Sequence, residues 1–142
     1  MTKFAPEYVK YVLNDNFEDA KSQLLSPLMA IHYAHLVMLA EQGIVAPGDA
    51  RQIRAALDSV LQDEVRRAAY DGSCEDLFFY VERQVANACG EDVAGRLHAA
   101  RSRNDIDMTM YRMRQREYLL DLCGAALELR RSGRNRDLRG AG

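Results

Sequence analysis

Apolar residues recur at helical spacing through most of the chain. The stretch from residue 26 to 43, SPLMAIHYAHLVMLAEQG, is apolar around much of a helical cylinder. Ser26 is predicted as its N-cap, Pro27 as its first helical residue and Gly43 as the residue just beyond its end. The pattern predicts a central helix that is buried on more than one side.

Two further segments show one apolar and one polar face. An amphipathic surface helix is predicted where charges at residues 51, 54, 58, 63 and 66 lie opposite the apolar set Ile53, Leu57, Val60, Leu61 and Val65. The next helix is predicted from Cys74 to Cys89, with Gly90 as its stop and a turn at 71–73 before it. Residues 106–131 contain no proline and one glycine, so they predict a long helix.

The remaining segments complete an all-α prediction. No stretch alternates apolar and polar residues over the length of a strand. The final residues, SGRNRDLRGAG at 132–142, contain Leu138 as their one large apolar side chain, which predicts a disordered tail.

The composition limits the classes of binding partner and the cellular compartment that we expect for the protein. With 142 residues, 48% hydrophobic and 28% charged, the chain is the size of one globular domain, and its net charge of -2 gives no general attraction to nucleic acid or membranes. No signal peptide or membrane span is predicted. Three widely spaced cysteines fit a reducing compartment, so we expect a cytoplasmic protein without a nucleic-acid or membrane partner.

The segment GRLHAARSRND at residues 95–105 carries the strongest chemical signal. One interpretation is a capping box, in which Ser102 and Asp105 satisfy the free N–H groups of a helix start. A cap needs no arginine, however, and Arg101, Arg103 and Asn104 supply donors suited to carboxylates beside a positive helix end. The second interpretation is a site for a small dicarboxylate that also carries nitrogen.

These eleven residues closely resemble the signature of the argininosuccinate lyases, in the fumarase and aspartase superfamily, where such a block opens a long helix. Glu75, Asp76 and Glu82 resemble the family's acidic residues before the signature, and MLAEQGIV resembles the end of an early helix. The resemblance runs from about Asn14 to about Arg131.

The resemblance implies an all-α fold, with a helical N-terminal lyase domain at 1–105 and the start of a central bundle helix at 106–131. It implies a homotetramer, no cofactor, and elimination of arginine from argininosuccinate to give fumarate. Arg103 and Asn104 are the implied substrate contacts, while Ser102 and Arg101 shape the loop. His98 also matches the signature, but a structural role is favoured for it.

Two departures from the family pattern modify these expectations. Phe78 stands where the family commonly has histidine, so a lyase acting on another N-substituted aspartate, of the aminopolycarboxylate type, is an alternative. The chain also contains neither the family's later histidine segment nor its Gly-Ser-Ser loop with a nearby lysine. We therefore assign no catalytic residue and expect a truncated chain that is inactive alone.

Other functions were weighed from single features. His32 and His35 are too few to hold a metal, so they are interpreted as packed or surface residues and no metal site is predicted. The arginines at 112, 114 and 116 are interrupted by acidic neighbours, which argues against a nucleic-acid module. A non-catalytic helical interaction module is the other alternative.

Overall fold

A computed structural model of the chain describes the backbone of residues 4–139 and the side chains of residues 4–133. Within that range the backbone forms helices and turns without a β-strand, which confirms the all-α prediction. The helices are α1 (Pro6–Gln23), α2 (Leu25–Glu41), α3 (Pro47–Ser59), α4 (Gln62–Arg67), α5 (Leu77–Cys89), α6 (Glu91–Gly95) and α7 (Arg103–Arg139). Helix α1 contains a π-helical stretch, Val9–Leu13, and a 3-10 turn, Arg96–His98, follows α6.

Helix α2 is the central element, as predicted. It packs against α1, α3, α7 and the 3-10 turn, and its buried residues lie on several sides: Leu25, Leu28, Met29, His32, Leu36 and Leu39. Gly43, with φ of +68°, follows its end at the predicted place.

The predicted start of α2 is wrong. The helix begins at Leu25, and Leu24 alone separates it from α1, to which it lies at an angle of 68°. The Leu24 carbonyl accepts from the Leu28 N–H at 2.9 Å, so the Ser26 hydroxyl is not needed as a cap and instead donates to Gln62 at 3.1 Å. Burial of Leu25 in the core explains the earlier start.

The predicted amphipathic helix is two helices, α3 and α4. Val60 and Leu61 between them are extended, with ψ of 92° and 106°. The break turns Val60 into the core and leaves Leu61 55% exposed, so the expected place of Leu61 on the apolar face is wrong. The other predicted apolar positions, Ile53, Leu57 and Val65, are buried.

Helix α5 begins three residues later than predicted, at Leu77. The Asp76 side chain accepts from the Phe79 N–H at 3.1 Å and caps the helix. Gly90, with φ of +85°, ends it where the sequence predicts. The helix buries Leu77 and Val81 against the core that α2 and α3 share.

Helix α7 has a packed first part and an exposed second part. Ile106 and Met110 are buried in the core, whereas every residue from Gln115 to Gly133 is exposed. The helix starts at Arg103, earlier than the predicted residue 106, because the loop before it supplies a cap. Its backbone continues through Arg139, whereas residues 132–142 were expected to be disordered. Residues 132–139 contain no proline, and the last residues of the expected tail, 140–142, lie outside the described range.

No single helix among the described residues has both the length and the apolar composition to cross a bilayer. The bent pair Pro6–Gln23 and Leu25–Glu41 meets those criteria only when its two helices are taken together.

Candidate functional site

The segment that resembles the lyase signature forms a sharp loop between the 3-10 turn and α7. Ala99 is extended and Ala100 has φ of +60°, a left-handed conformation that costs roughly 1 kcal/mol for a residue other than glycine. The Ala99 carbonyl accepts from His35 Nε2 at 2.9 Å, and burial lowers the pKa of this histidine. His35 on the central helix therefore holds the loop in place.

Ser102 and Asp105 form the predicted capping box. The Asp105 carboxylate accepts from the Ser102 backbone N–H and from its hydroxyl, each at 2.8 Å. In return the Ser102 hydroxyl accepts from the Asp105 N–H at 3.3 Å. The hydrogen bond from the Ser102 backbone is the main cause that lowers the pKa of Asp105, and the hydrogen bond from the Ser102 hydroxyl is the second. The capping interpretation is confirmed, and it explains why α7 begins at Arg103.

Arg101 points into the protein. Its side chain is 5% exposed, and its Nη2 donates to His32 Nδ1 at 3.0 Å. Burial, with the Arg101 charge as the second cause, lowers the pKa of His32 from 6.5 to about 3, so His32 is neutral and its Nδ1 accepts. Burial also lowers the pKa of Arg101 itself.

Glu82 supplies the negative charge of this inner cluster, which comprises Arg101, His32, Glu82 and His98. Its Oε1 lies 3.9 Å from Arg101 Nη2 and 3.7 Å from His32 Nε2, and its Oε2 is paired with His98 Nε2. The pairing of His98 fits the structural role expected for it. The inner cluster joins the loop to α2 and α5 through Arg101 and His98.

Arg103 belongs to a separate outer cluster with Asp76, Asp107 and Phe78. Its Nη2 donates to Asp76 Oδ2 at 2.5 Å and its Nη1 donates to Asp107 Oδ1. The guanidinium carbon lies 4.7 Å from the centre of the Phe78 ring, in cation–π geometry. Both terminal amino groups of an arginine expected to contact substrate are therefore occupied by protein carboxylates.

Asn104 differs from its neighbours. It is exposed in the first turn of α7, and among the residues that the structure describes none hydrogen-bonds to its side-chain amide. An uncommitted amide beside free helix N–H groups can donate to a carboxylate oxygen without first breaking an internal contact. Of the loop residues at 101–104 to which the resemblance gives a role, Asn104 is the one whose side chain has no hydrogen-bond partner among the described residues.

The loop lies between two cavities. One, of about 420 Å³, is lined by α1, α5 and the outer cluster; its polar residues include Asn16, Asp19, Gln23, Asp76, Arg103 and Asp107. The other, of about 300 Å³, is bordered by Phe78, Phe79, Glu82, His98, Ile106 and residues 101–103. Within the described part of the chain, no three His, Cys, Asp or Glu side chains are grouped as metal ligands. His32 and His35 are both engaged in the packing of the loop.

The chain is similar to several argininosuccinate lyases. Argininosuccinate lyase 2 of Agrobacterium fabrum is 42% identical over 109 residues, which cover 76% of this chain and 22% of the relative. The chain belongs to the argininosuccinate lyase family. The argininosuccinate lyases of Methanocorpusculum labreanum and Methanosarcina acetivorans are 35% and 38% identical over 80% and 77% of the chain.

The chain spans about a fifth of the length of these argininosuccinate lyases. No protein-family model matches it. No solved structure matches it either.

Sequence reasoning missed two contributors to the site. His35 holds Ala99 from 64 positions away, a contact that no local pattern predicts. Asp107 could have been found, because an aspartate four residues after Arg103 on a helix is the standard spacing for an ion pair.

Proposed function

We propose that this chain provides the carboxylate-binding loop of a carbon–nitrogen lyase that eliminates arginine from argininosuccinate and releases fumarate. The similarity to argininosuccinate lyases over three quarters of the chain supports this reaction. The observation that carries the proposal is the uncommitted Asn104 amide at the start of α7, next to the Ser102 cap. In our proposal Asn104 donates to a carboxylate of the succinyl group.

The chemistry of the reaction explains why such donors are needed. Elimination removes a weakly acidic proton beside a carboxylate, so negative charge builds up on that carboxylate in the transition state. Donors that are fixed before the reaction stabilise this charge without reorganising. The inner cluster and the capping box fix the backbone on both sides of Ser102, which supports a binding role for the loop in our proposal.

A related lyase acting on another N-substituted aspartate is the second candidate. Phe78 stands at a position where the family commonly has histidine, and here its ring packs against Arg103. An apolar ring in that place changes the surroundings of the leaving amine while the carboxylate contacts stay the same. Both candidates therefore share the loop and differ in the amine that is released.

We also propose that α7 joins other subunits in a helical bundle, as expected for a homotetramer. Its second part exposes a broad apolar face that the rest of the described chain does not cover: Leu119, Leu120, Leu122, Leu127 and Leu129. An uncovered face of this size on a helix is typical of an element that packs against other helices.

A chimeric enzyme tests the proposed function. The 109 aligned residues of the Agrobacterium fabrum enzyme are replaced by those of this chain, and fumarate release from argininosuccinate is followed by absorbance. We expect turnover, and we expect Asn104→Ala to lower kcat/KM about a hundredfold, as loss of a transition-state donor does. Gln115→Ala, an exposed amide further along α7, is the matched control and should change kcat/KM less than about twofold.

Three outcomes separate the possibilities. Equal kinetics for the Asn104 and Gln115 variants would contradict the proposed role of the loop. A chimera that releases fumarate from another N-substituted aspartate but not from argininosuccinate would establish the second candidate. The 142-residue chain alone is expected to release no fumarate above background.

A further inference from the structure

In the outer cluster, protein carboxylates occupy the arginine that a ligand carboxylate would bind. A guanidinium binds a carboxylate through parallel N–H groups, and the two terminal amino groups of Arg103 already donate to Asp76 and Asp107. The Arg103 side chain is only partly buried and borders the cavity of about 420 Å³. A carboxylate that enters this cavity therefore meets an arginine whose two terminal amino groups each already donate to an aspartate.

The two aspartates differ in how easily a ligand could displace them from Arg103. Asp76 also caps α5, since its Oδ1 accepts from the Phe79 N–H at 3.1 Å, so moving it would uncap a helix. Asp107 has Arg103 as its one hydrogen-bond partner among the described residues. It lies one helical turn after Arg103 and lines the cavity itself. Of the two contacts, the one to Asp107 is the contact that an incoming ligand can displace.

We propose that Asp107 is a specificity-determining residue of the loop: its carboxylate competes with a ligand carboxylate for Arg103 Nη1. With Asp107 in place, the Asn104 amide remains available for one carboxylate, while binding of a second carboxylate across both terminal amino groups of Arg103 requires the Asp107 contact to break. The inference rests on the proposed function, because it concerns the same carboxylate-binding loop.

A simple charge effect must be separated from competition. Asp19 lines the same cavity, but the hydrogen bonds and ion pairs of Arg103 are made with Asp76 and Asp107. Asp19→Asn and Asp107→Asn each remove one negative charge from the cavity, yet only the second weakens the contact that holds Arg103 Nη1. The pair of variants therefore distinguishes competition for the arginine from general repulsion of anions.

The experiment titrates the purified chain with succinate at low ionic strength and follows binding by NMR chemical shifts. Asp107→Asn should bind succinate about two- to fivefold more tightly than the unchanged chain, the range expected for release of a partly exposed ion pair. Asp19→Asn should raise the affinity for succinate by less than half as much as Asp107→Asn does. The affinity for acetate, which has one carboxylate, should change little in either variant. Asp107→Ala serves as a second variant, and circular dichroism checks that each variant is folded.

Equal gains for the Asp19 and Asp107 variants would overturn the inference, because they would show a charge effect alone. No detectable succinate binding by either Asp107 variant would overturn it as well. The chimeric enzyme reports separately on the proposed function: succinate binding enhanced by Asp107→Asn, together with a chimera that releases no fumarate, would remove the lyase proposal and leave the competition at Arg103 standing.

Discussion

The inner and outer clusters lie on two sides of Ser102, and their arginines are only two positions apart. Arg101 is buried and pairs with a neutral histidine and a glutamate contributed by α2 and α5. Arg103 is partly exposed and pairs with aspartates at the starts of α5 and α7. The difference teaches that two arginines of one motif can have separate surroundings: the inner one joins the loop to the core, and the outer one is the arginine for which we propose an exchange of partners with a ligand.

The largest effect should come from replacing the two arginines in parallel. Arg101→Met leaves Glu82 buried without its guanidinium partner, so we expect a loss of about 3 kcal/mol in the free energy of unfolding. Arg103→Met leaves aspartates that water can reach, so we expect a loss of less than about 1 kcal/mol. Urea denaturation of both variants measures the difference, and equal losses would show that the two sides of the loop do not differ in this way.

The second largest effect should be a loss in the free energy of unfolding on acidification, caused by the inner cluster. His32 has a pKa of about 3 in the fold and 6.5 as its ordinary value, so the unfolded chain takes up a proton that the folded chain excludes. The stabilisation is complete above pH 6.5 and is lost as the pH falls toward 3; we expect about 2 kcal/mol to be lost by pH 5. The pKa of His35 is lowered in the same direction and adds to the slope.

The control for this pH dependence is His32→Gln, whose amide oxygen can accept from Arg101 but does not titrate. Urea midpoints measured between pH 7 and pH 5 should fall less steeply for this variant. A slope identical to that of the unchanged chain would assign the pH dependence to groups other than His32.

The smallest effect should come from the cap between the two clusters. Ser102→Ala removes the hydroxyl that exchanges hydrogen bonds with Asp105, and we expect a loss of about 0.5–1 kcal/mol in the free energy of unfolding. Ser132→Ala, at an exposed position late in α7, should be nearly neutral. A loss as large as that of Arg101→Met would mean that the cap, and not the inner cluster, holds the loop.

The capping box and the end of α5 could be predicted from the sequence, whereas the inner cluster could not. The capping box is a pattern of four consecutive residues, and the stop at Gly90 needs only one glycine with a positive φ. The inner cluster joins Arg101 to His32 and Glu82, residues 69 and 19 positions earlier, which meet only after α2 and α5 have packed. Its members are visible in the sequence, but their proximity depends on the tertiary fold.

The helix boundaries show the same limit. Helical periodicity placed Leu61 on the apolar face because it assumed an unbroken helix through Val60. The helix is instead interrupted at Val60, whose side chain is buried in the core. The free energy gained by burying this side chain outweighs the loss of helical structure at two residues. The free Asn104 and the occupied Arg103 were likewise indistinguishable before their neighbours on α5 and α7 were known.

The exposed part of α7 has a practical consequence for handling the chain. Its residues 115–133 extend over roughly 28 Å at about 1.5 Å per residue. A rod attached to a compact body diffuses more slowly than a sphere of equal mass, so a monomer elutes early from a sizing column, at the volume of a heavier protein. Elution volume alone would thus overstate the number of subunits, and molar mass has to come from light scattering or sedimentation equilibrium.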